Sequence, residues 1–317
     1  MKLLKIIANN YRNCIRGFSI DFLRSTDKLN CYNICTFAGK TASGKTTVLE
    51  LIDICYSILS DFHVDTKYFD VTGAELVIYF YYENYIYKYS TELSYGNEYR
   101  IFFKNQRIYR KEYNGVSDIY SEDGFKELFI EGELPDDTST IFFILKRNIT
   151  RGVYIGGYDK GEATYKSIFS AMKKYKISDE VLSDIVNNLD KNIENLSMLD
   201  NYNYKLRVNG SSYILSAQEL WYRLSGGTTR GMLLYIYVYA SLAQGFTLLV
   251  DEIENHLQRE TIENILMLYR NKDYNSKGAA LMFTTNYLEL WDQLTDKKWL
   301  LENRDGNTRI QTARNIT

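Results

Sequence analysis

Gly39-Lys40-Thr41-Ala42-Ser43-Gly44-Lys45-Thr46 fits the pattern G-x-x-x-x-G-K-[ST] at every position. Each element answers a physical need. The glycines let the backbone wrap so that its N–H groups point inward at phosphate oxygens. A helix beginning at Lys45 presents its positive N-terminus to the same anion. Lys45 is then aimed at the β- and γ-phosphates, and the Thr46 hydroxyl is a ligand for Mg²⁺. Thr47 opens the same helical turn and joins Lys40, Thr41, Ala42 and Ser43 as a nucleotide-contacting candidate. At an average glycine usage of about 7%, the pattern arises by chance about once in a hundred chains of this length. Its surroundings supply the confirming context. Tyr32 to Phe37 reads as a strand. Beyond the loop, Val48, Leu51, Ile52, Cys55, Ile58, Leu59 and Phe62 recur at helical spacing, predicting a helix from Lys45 to Phe62.

A triphosphate site needs a second, carboxylate-bearing strand. Phe246-Thr247-Leu248-Leu249-Val250-Asp251-Glu252 supplies one: five residues without charge, then two adjacent acids. Asp251 belongs with the Mg²⁺ shell, and Glu252 is the candidate base that polarises the attacking water. Leu224-Ser225-Gly226-Gly227-Thr228-Thr229-Arg230 stands directly before an apolar helix. Ser225, Gly226 and Gly227 are either a plain helix N-cap or a second phosphate nest. A nest there does not readily serve the γ-phosphate held by its own P-loop, so it implies a nucleotide held by another subunit.

Composition bounds the rest. The chain has 317 residues, 45% hydrophobic and 25% charged, with a formal net charge of −2. Those values exclude long disorder and allow one large domain. The balance argues against a protein whose main work is coating nucleic acid, although a local basic patch remains open. The longest nearly apolar stretch, Met232 to Ala243, falls short of the roughly 20 residues of a membrane span. The N-terminus lacks the apolar core of a signal peptide. Cys14, Cys31, Cys35 and Cys55 are too sparse for a disulfide framework, and only His63 and His256 accompany them. Reduced thiols in a cytoplasmic, membrane-free protein without structural zinc are the expectation.

Leu3 to Ala8 and Gly17 to Phe22 read as further strands. From Ala74 to about Tyr113, aromatic and β-branched residues alternate with charges, predicting antiparallel strands with a turn at Gly96-Asn97. The tyrosines there read as an amphipathic β-face rather than a base-stacking platform. Residues from about Thr164 to Leu199 are spaced for one helical stripe that includes Ile193 and Leu196. Thr228 to Ala243 reads as an apolar helix, Phe246 to Val250 and Ala279 to Thr284 as buried strands, and Gln258 to Arg270 as an amphipathic helix. Trp299 to Asn303 and Thr308 to Gln311 form a hairpin pattern. The two α/β ends are expected to build one sheet. Within one domain, residues 1–72 and 215–317 form the nucleotide-binding core, 73–150 a β-rich insert and 151–214 a helical subdomain.

With these motifs in this order, the chain resembles the ABC-type ATPase heads. Gly39–Thr46 matches their Walker A, Leu224–Gly227 their signature, and Asp251-Glu252 their Walker B with catalytic glutamate. More narrowly it is similar to the SMC-like, overcoming-lysogeny-type (OLD-like) group. Ile6-Ile7-Ala8-Asn9-Asn10-Tyr11-Arg12-Asn13 resembles that group's opening strand and turn, which brings Arg12 into the nucleotide set. Asp251-Glu252-Ile253-Glu254-Asn255-His256-Leu257 resembles its Walker B continuation, and Leu281-Met282-Phe283-Thr284-Thr285-Asn286 its switch strand. The resemblance implies an α/β, ABC-type P-loop NTPase fold with a mixed sheet core, an antiparallel β insert and a helical subdomain. It also implies ATP and Mg²⁺ as cofactors, head-to-head pairing on ATP, and hydrolysis that gates a separately encoded effector in anti-phage defence. A DNA-repair or DNA-associated ATPase is the alternative, and a transporter subunit a weaker one. Two departures stand out. Asn286 replaces the switch histidine and cannot carry a proton, which implies slow turnover. No glutamine closes the β-rich insert; Asn148 is the substitute candidate and Gln106 the alternative, although its place within a strand reads rather as a solvent-facing polar residue. No nuclease constellation accompanies the head, which points to an effector on another chain.

Overall fold

The computed structural model describes residues 1–23, 29, 32–61, 63–64, 71–96, 100–115, 119–145, 153–155, 162–200, 203–255, 257–289 and 292–312. In chain order the elements are β1 (Lys2–Asn9), β2 (Phe18–Asp21), β3 (Ile34–Gly39), α1 (Lys45–Ser60), β4 (Ala74–Tyr82), β5 (Tyr85–Tyr95), β6 (Ile101–Glu112) and β7 (Lys126–Leu128). Then come α2 (Thr140–Ile144), β8 (Val153–Ile155), α3 (Glu162–Tyr175), α4 (Asp179–Leu189), β9 (Ile193–Met198), β10 (Asn203–Val208) and β11 (Ser211–Ser216). The last third holds α5 (Ala217–Arg223), α6 (Gly226–Gln244), β12 (Thr247–Val250), α7 (Arg259–Arg270), β13 (Ala280–Thr285), β14 (Lys297–Arg304) and β15 (Asn307–Thr312).

One sheet, ordered β15-β14-β3-β13-β12-β8, is parallel except for the β14–β15 hairpin. Its strands are nearly continuous apolar runs, as a sheet covered on both faces requires. The period of two divides them cleanly. Cys35, Phe37, Leu249 and Met282 pack into one core with α1, while Ile34, Leu248, Val250, Leu281 and Phe283 pack into a second core with α3 to α7. A second sheet, ordered β2-β1-β4-β5-β6-β7, is antiparallel and closes over the other side of α1. That position explains why α1 is buried nearly all round beyond its first turn. Leu49, Ile54 and Tyr56 are buried as well as the stripe seen in the sequence; Phe62, the last of that stripe, lies outside the described residues.

Two expectations change, and one turn is added. The two ends do not build one sheet: β3 and β12 to β15 do, but β1 and β2 join the antiparallel sheet, where β1 pairs β4 from Lys2↔Tyr81 to Asn9↔Glu75. Their alternating pattern suits a sheet with one face less deeply packed. The single helical stripe to Leu199 is two helices and a strand. α4 ends at Leu189, and Ile193 and Leu196 lie on β9 in a three-stranded sheet ordered β11-β10-β9. A spacing of three residues reads as helix, but the Asp190-Lys191-Asn192 break and the pairing Leu206↔Leu196 override it. Finally, the β4–β5 hairpin turns at Glu83 and Asn84, whose φ values of 46° and 67° match a type I′ turn. The predicted turn after Tyr95 is there too, Gly96 N–H donating to the Arg100 carbonyl at 3.0 Å, with Asn97 outside the described residues.

Tyr79, Tyr87 and Tyr89 of the insert are buried. Phe80 and Tyr87 stack at 5.0 Å, Tyr79 meets Tyr120 and Phe125 edge-on, and buried Tyr89 donates its hydroxyl to Gln106. Cys14, Cys35 and Cys55 are buried thiols, and Cys31 lies outside the described residues. Among the described residues, no helix is long and apolar enough to cross a membrane.

Candidate functional site

Three neighbouring parallel strands deliver the site. β3 leads into the glycine loop, β12 ends at Asp251 and Glu252, and β13 ends at Thr285 and Asn286; the registers Val250↔Phe283 and Thr285↔Ala38 bring their carboxyl ends to one edge. Ligands of parallel α/β sheets sit at such an edge.

The loop needs its glycines for two different reasons. A Cβ on Gly39 would lie 2.3 Å from the Ser43 hydroxyl oxygen and 2.7 Å from the Leu301 carbonyl oxygen. Gly44, the N-cap of α1, has φ 93°, and a Cβ there would meet Thr308 Oγ1 at 2.2 Å. Ala42 is also left-handed, with φ 63°. Lys40, Thr41 and Ala42 line the exposed rim, Thr47 is half-buried, and Ser43 Oγ is buried with no hydrogen-bond partner.

Lys45 is 5% exposed, and its ammonium donates to three acceptors: the carbonyls of Gly39 and Lys40, each at 3.0 Å, and Asn286 Oδ1 at 2.9 Å. An ammonium has three N–H donors, so its capacity is filled. Burial pushes its pKa below the ordinary lysine value, opposed by the carboxylates of Glu252, Asp251 and Glu254. The Thr46 hydroxyl donates to Asp251 Oδ2 at 2.7 Å, so the two predicted metal ligands touch. One hydroxyl and one carboxylate side by side are hard oxygen donors, a set that fits Mg²⁺.

Thr284, fully buried, braces the acidic pair. Its hydroxyl donates to Asp251 Oδ1 at 2.5 Å and accepts the Glu252 backbone N–H at 2.7 Å. Glu252 has φ 46°, a strained conformation for a side-chain-bearing residue, and its Oε2 accepts from Asn255 Nδ2 at 2.7 Å. Strain held in place by two hydrogen bonds at a strand end is a mark of functional sites. Asn286 lies between Lys45 and Glu254: its backbone N–H and its Nδ2 both donate to Glu254 Oε1, at 2.7 and 3.0 Å.

The site therefore joins Lys45, Thr46, Asp251, Glu252 and Asn286. Arg12 lies in the turn after β1, its guanidinium paired with Glu50 on α1, within two helical turns of Lys45. Ser225, Gly226 and Gly227 bond within their own helix turn. Ser225 caps α6 by accepting the Thr228 N–H at 3.0 Å, and both glycines are exposed, with nothing within 4 Å of a Cβ placed on Gly226. Gln106 is not a solvent-facing residue. Its Oε1 accepts from Tyr89, from the Thr140 N–H and from the Thr140 hydroxyl, and its Nε2 donates to the Thr138 carbonyl. These bonds tie β5 and β6 to α2. Asn148 lies outside the described residues. Sequence reasoning named none of Glu254, Asn255, Thr284 and Thr308 as site residues; the first three lie in the stretches quoted for the Walker B continuation and the switch strand, and Thr308, on the terminal hairpin, had no signal.

Residues 36–285 match the family described as "AAA domain, putative AbiEii toxin, Type IV TA system". No curated protein matches the chain. Among solved structures, the SMC head domain from Thermotoga maritima is similar at 15% identity and a TM-score of 0.51, covering 99% of this chain and 100% of that one. An Smc head bound to the C-terminal winged-helix domain of ScpA is similar at 13% identity and a TM-score of 0.59, over 99% and 98% of the two chains. An Smc head with an extended coiled coil, bound to a ScpA domain derived from Pyrococcus furiosus, gives 12% and 0.56 over 98% and 96%. The fold is that of the SMC and ABC ATPase heads.

Proposed function

The chain belongs to this AAA-domain family of ABC-like P-loop proteins, and from that premise we propose that it binds ATP·Mg²⁺ and hydrolyses it slowly. Two heads pair around two nucleotides, and the pairing gates a separate effector protein in anti-phage defence. The whole of residues 1–317 acts as one ATPase domain.

The observation that carries the reading is the hydrogen bond from Thr46 to Asp251, with Lys45 and Glu252 on either side. Residues from two distant segments meet in the arrangement that phosphoryl chemistry uses. Lys45 and the loop N–H groups hold the β- and γ-phosphates, with Lys40, Thr41, Ala42, Ser43 and Thr47 shaping the cradle. Thr46 and Asp251 would hold Mg²⁺, which neutralises phosphate charge when bound. Glu252 takes a proton from a water whose oxygen bonds to the γ-phosphorus, while the bond to the β–γ bridging oxygen breaks; ADP and phosphate leave. Arg12 supports α1 through Glu50 beside the nucleotide.

Ser225, Gly226 and Gly227 leave their own chain's phosphates alone and close over those of a second copy; their exposure supports this. The effector reading rests on the resemblance to OLD-like heads and on a family description that refers to a TA system. The resemblance of the motifs to SMC-like heads carries a second reading, a DNA-repair or DNA-associated ATPase, for which stimulation by DNA is the expected sign. Phosphate release measured with and without duplex DNA, and with Lys45→Ala as control, tests both. ATP-dependent release that Lys45→Ala abolishes supports the ATPase, and DNA stimulation of several-fold would favour the second reading.

A further inference from the structure

Glu254 is a half-buried carboxylate to which the reading above gives no task. Its Oε1 accepts two hydrogen bonds from one residue, the backbone N–H and the Nδ2 of Asn286. Its Oε2 is buried with no hydrogen-bond partner. A carboxylate oxygen buried without a partner is costly, so Glu254 is not simply a solvated acid on the turn after β12. The geometry instead points to Glu254 as a positioning residue that sets the side-chain amide of Asn286 and, through it, holds Lys45; this rests on the ATPase reading of the site.

An asparagine amide has two nearly isosteric orientations, and its neighbours decide between them. Here the neighbours leave one solution. The Lys45 ammonium can only donate, so it takes Oδ1; the Glu254 carboxylate accepts, so it takes Nδ2. A flipped amide would put N–H against ammonium and C=O against carboxylate. Glu254 also grips the Asn286 backbone, so the position of the main chain and the direction of the amide are set by one group.

The consequence concerns phosphate. All three donors of Lys45 are taken within the chain, so the ammonium must release at least one acceptor to bind a phosphate oxygen. The two carbonyl acceptors belong to the loop that cradles the phosphates, and Asn286 Oδ1 is the one supplied from another strand. With one Nδ2 proton held by Glu254, the other is the single side-chain donor Asn286 can offer a phosphate oxygen. Glu254 therefore converts a freely rotating amide into a directed one, doing for asparagine what a carboxylate does when it orients a histidine.

The experiment has two arms. In the first, ¹⁵N-labelled chain without nucleotide is examined by NMR, the Asn286 side-chain amide being identified by its loss in Asn286→Ala. In Glu254→Ala this signal shifts and its protons exchange faster with water, whereas Glu254→Gln, which keeps an acceptor oxygen, leaves it closer to wild type. An unmoved signal in Glu254→Ala overturns the inference whether or not the protein hydrolyses ATP; if the alanine variant does not fold, Glu254→Met, which fills the space without an acceptor oxygen, is read in the same way, and an unmoved signal there overturns it.

In the second arm, Glu254→Ala lowers kcat about tenfold with KM for ATP within about twofold, and Glu254→Gln recovers most of the loss. Combined with Asn286→Ala it adds nothing, because both substitutions remove one interaction. Full additivity overturns the inference. Failure of the ATPase reading looks different: wild type releases no phosphate, while the amide signal still responds to Glu254.

Discussion

The two glycine-bearing motifs of this chain sit in opposite physical situations. At the P-loop the functional side chains have internal counterparts: Lys45 fills its three donors, Thr46 meets Asp251, and Thr284 braces both acids of the strand end. Glycine is required there because a side chain has no room. At the Ser225-Gly226-Gly227 turn the glycines are exposed, and a Cβ on Gly226 meets nothing within 4 Å. Folding of one chain explains the first pair of glycines and leaves the second unexplained. The difference teaches where the chain is complete in itself and where, on the reading proposed above, a second copy supplies the missing surface.

Substitutions sharpen that contrast, and the largest effect belongs to Glu252. Glutamine keeps its shape and its bond from Asn255 but accepts no proton, so Glu252→Gln lowers phosphate release by about 10²–10⁴-fold. Binding of ATP, measured by calorimetry, survives in this variant and is lost in Lys45→Ala.

Next comes the glycine pair. Gly44→Ala forces a side chain into φ 93° against Thr308 and costs about 2–4 kcal/mol, read as a fall in Tm. Adding Thr308→Ala removes the overlap and restores part of it. Gly226→Leu changes stability by no more than about 0.5 kcal/mol, since the site is open. The same substitution lowers ATP turnover about tenfold or more, because the nest no longer approaches a facing phosphate. Equal stability losses at Gly44 and Gly226 would break the contrast.

How much of this was legible in the sequence follows from the range of each interaction. The P-loop, the acids after β12 and the helix start at Ser225 are local patterns, and each lies where its spacing placed it. Glu254 was invisible as a partner because its contact with Asn286 spans 32 residues and has no periodic signature. Gln106 misled for the same reason: an amide inside a strand pattern reads as exposed until Tyr89, Thr138 and Thr140 converge on it from elsewhere in the chain. β9 was hidden by an ambiguity of period, since Ile193 and Leu196 suit a helical stripe until pairing with β10 decides. The division of the strands between two sheets was equally beyond local reading, because β1 and β3 differ in their partners more than in their composition.

A milder effect separates the histidine and asparagine versions of the switch strand. Asn286→His raises turnover a few-fold, about 0.5–1 kcal/mol of transition-state stabilisation, because an imidazole bridges γ-phosphate and the facing subunit, which an amide does only in part. An unchanged rate removes Asn286 from the switch role. The smallest effect lies far from both glycine motifs, in the insert. The hydrogen bond from Lys88 holds Glu122 below the ordinary carboxylate range. A carboxylate with a lowered folded pKa stabilises above its unfolded value and loses that contribution as pH falls through the folded one. Glu122 is mostly exposed, so the ion-pair part of the cost of Lys88→Ala is less than about 1 kcal/mol at neutral pH and vanishes at pH 2, leaving only the packing over Tyr79 and Tyr109, by denaturant titration.

The central claim, that the open Ser225-Gly226-Gly227 turn closes over a nucleotide held by a second copy, is tested most directly by the solution mass of Glu252→Gln. Light scattering without nucleotide gives the mass of one chain; with saturating ATP·Mg²⁺ it gives two chains or a multiple of two, and Gly226→Leu in the same background abolishes the change. A mass that stays at one chain although calorimetry shows ATP bound would contradict the claim.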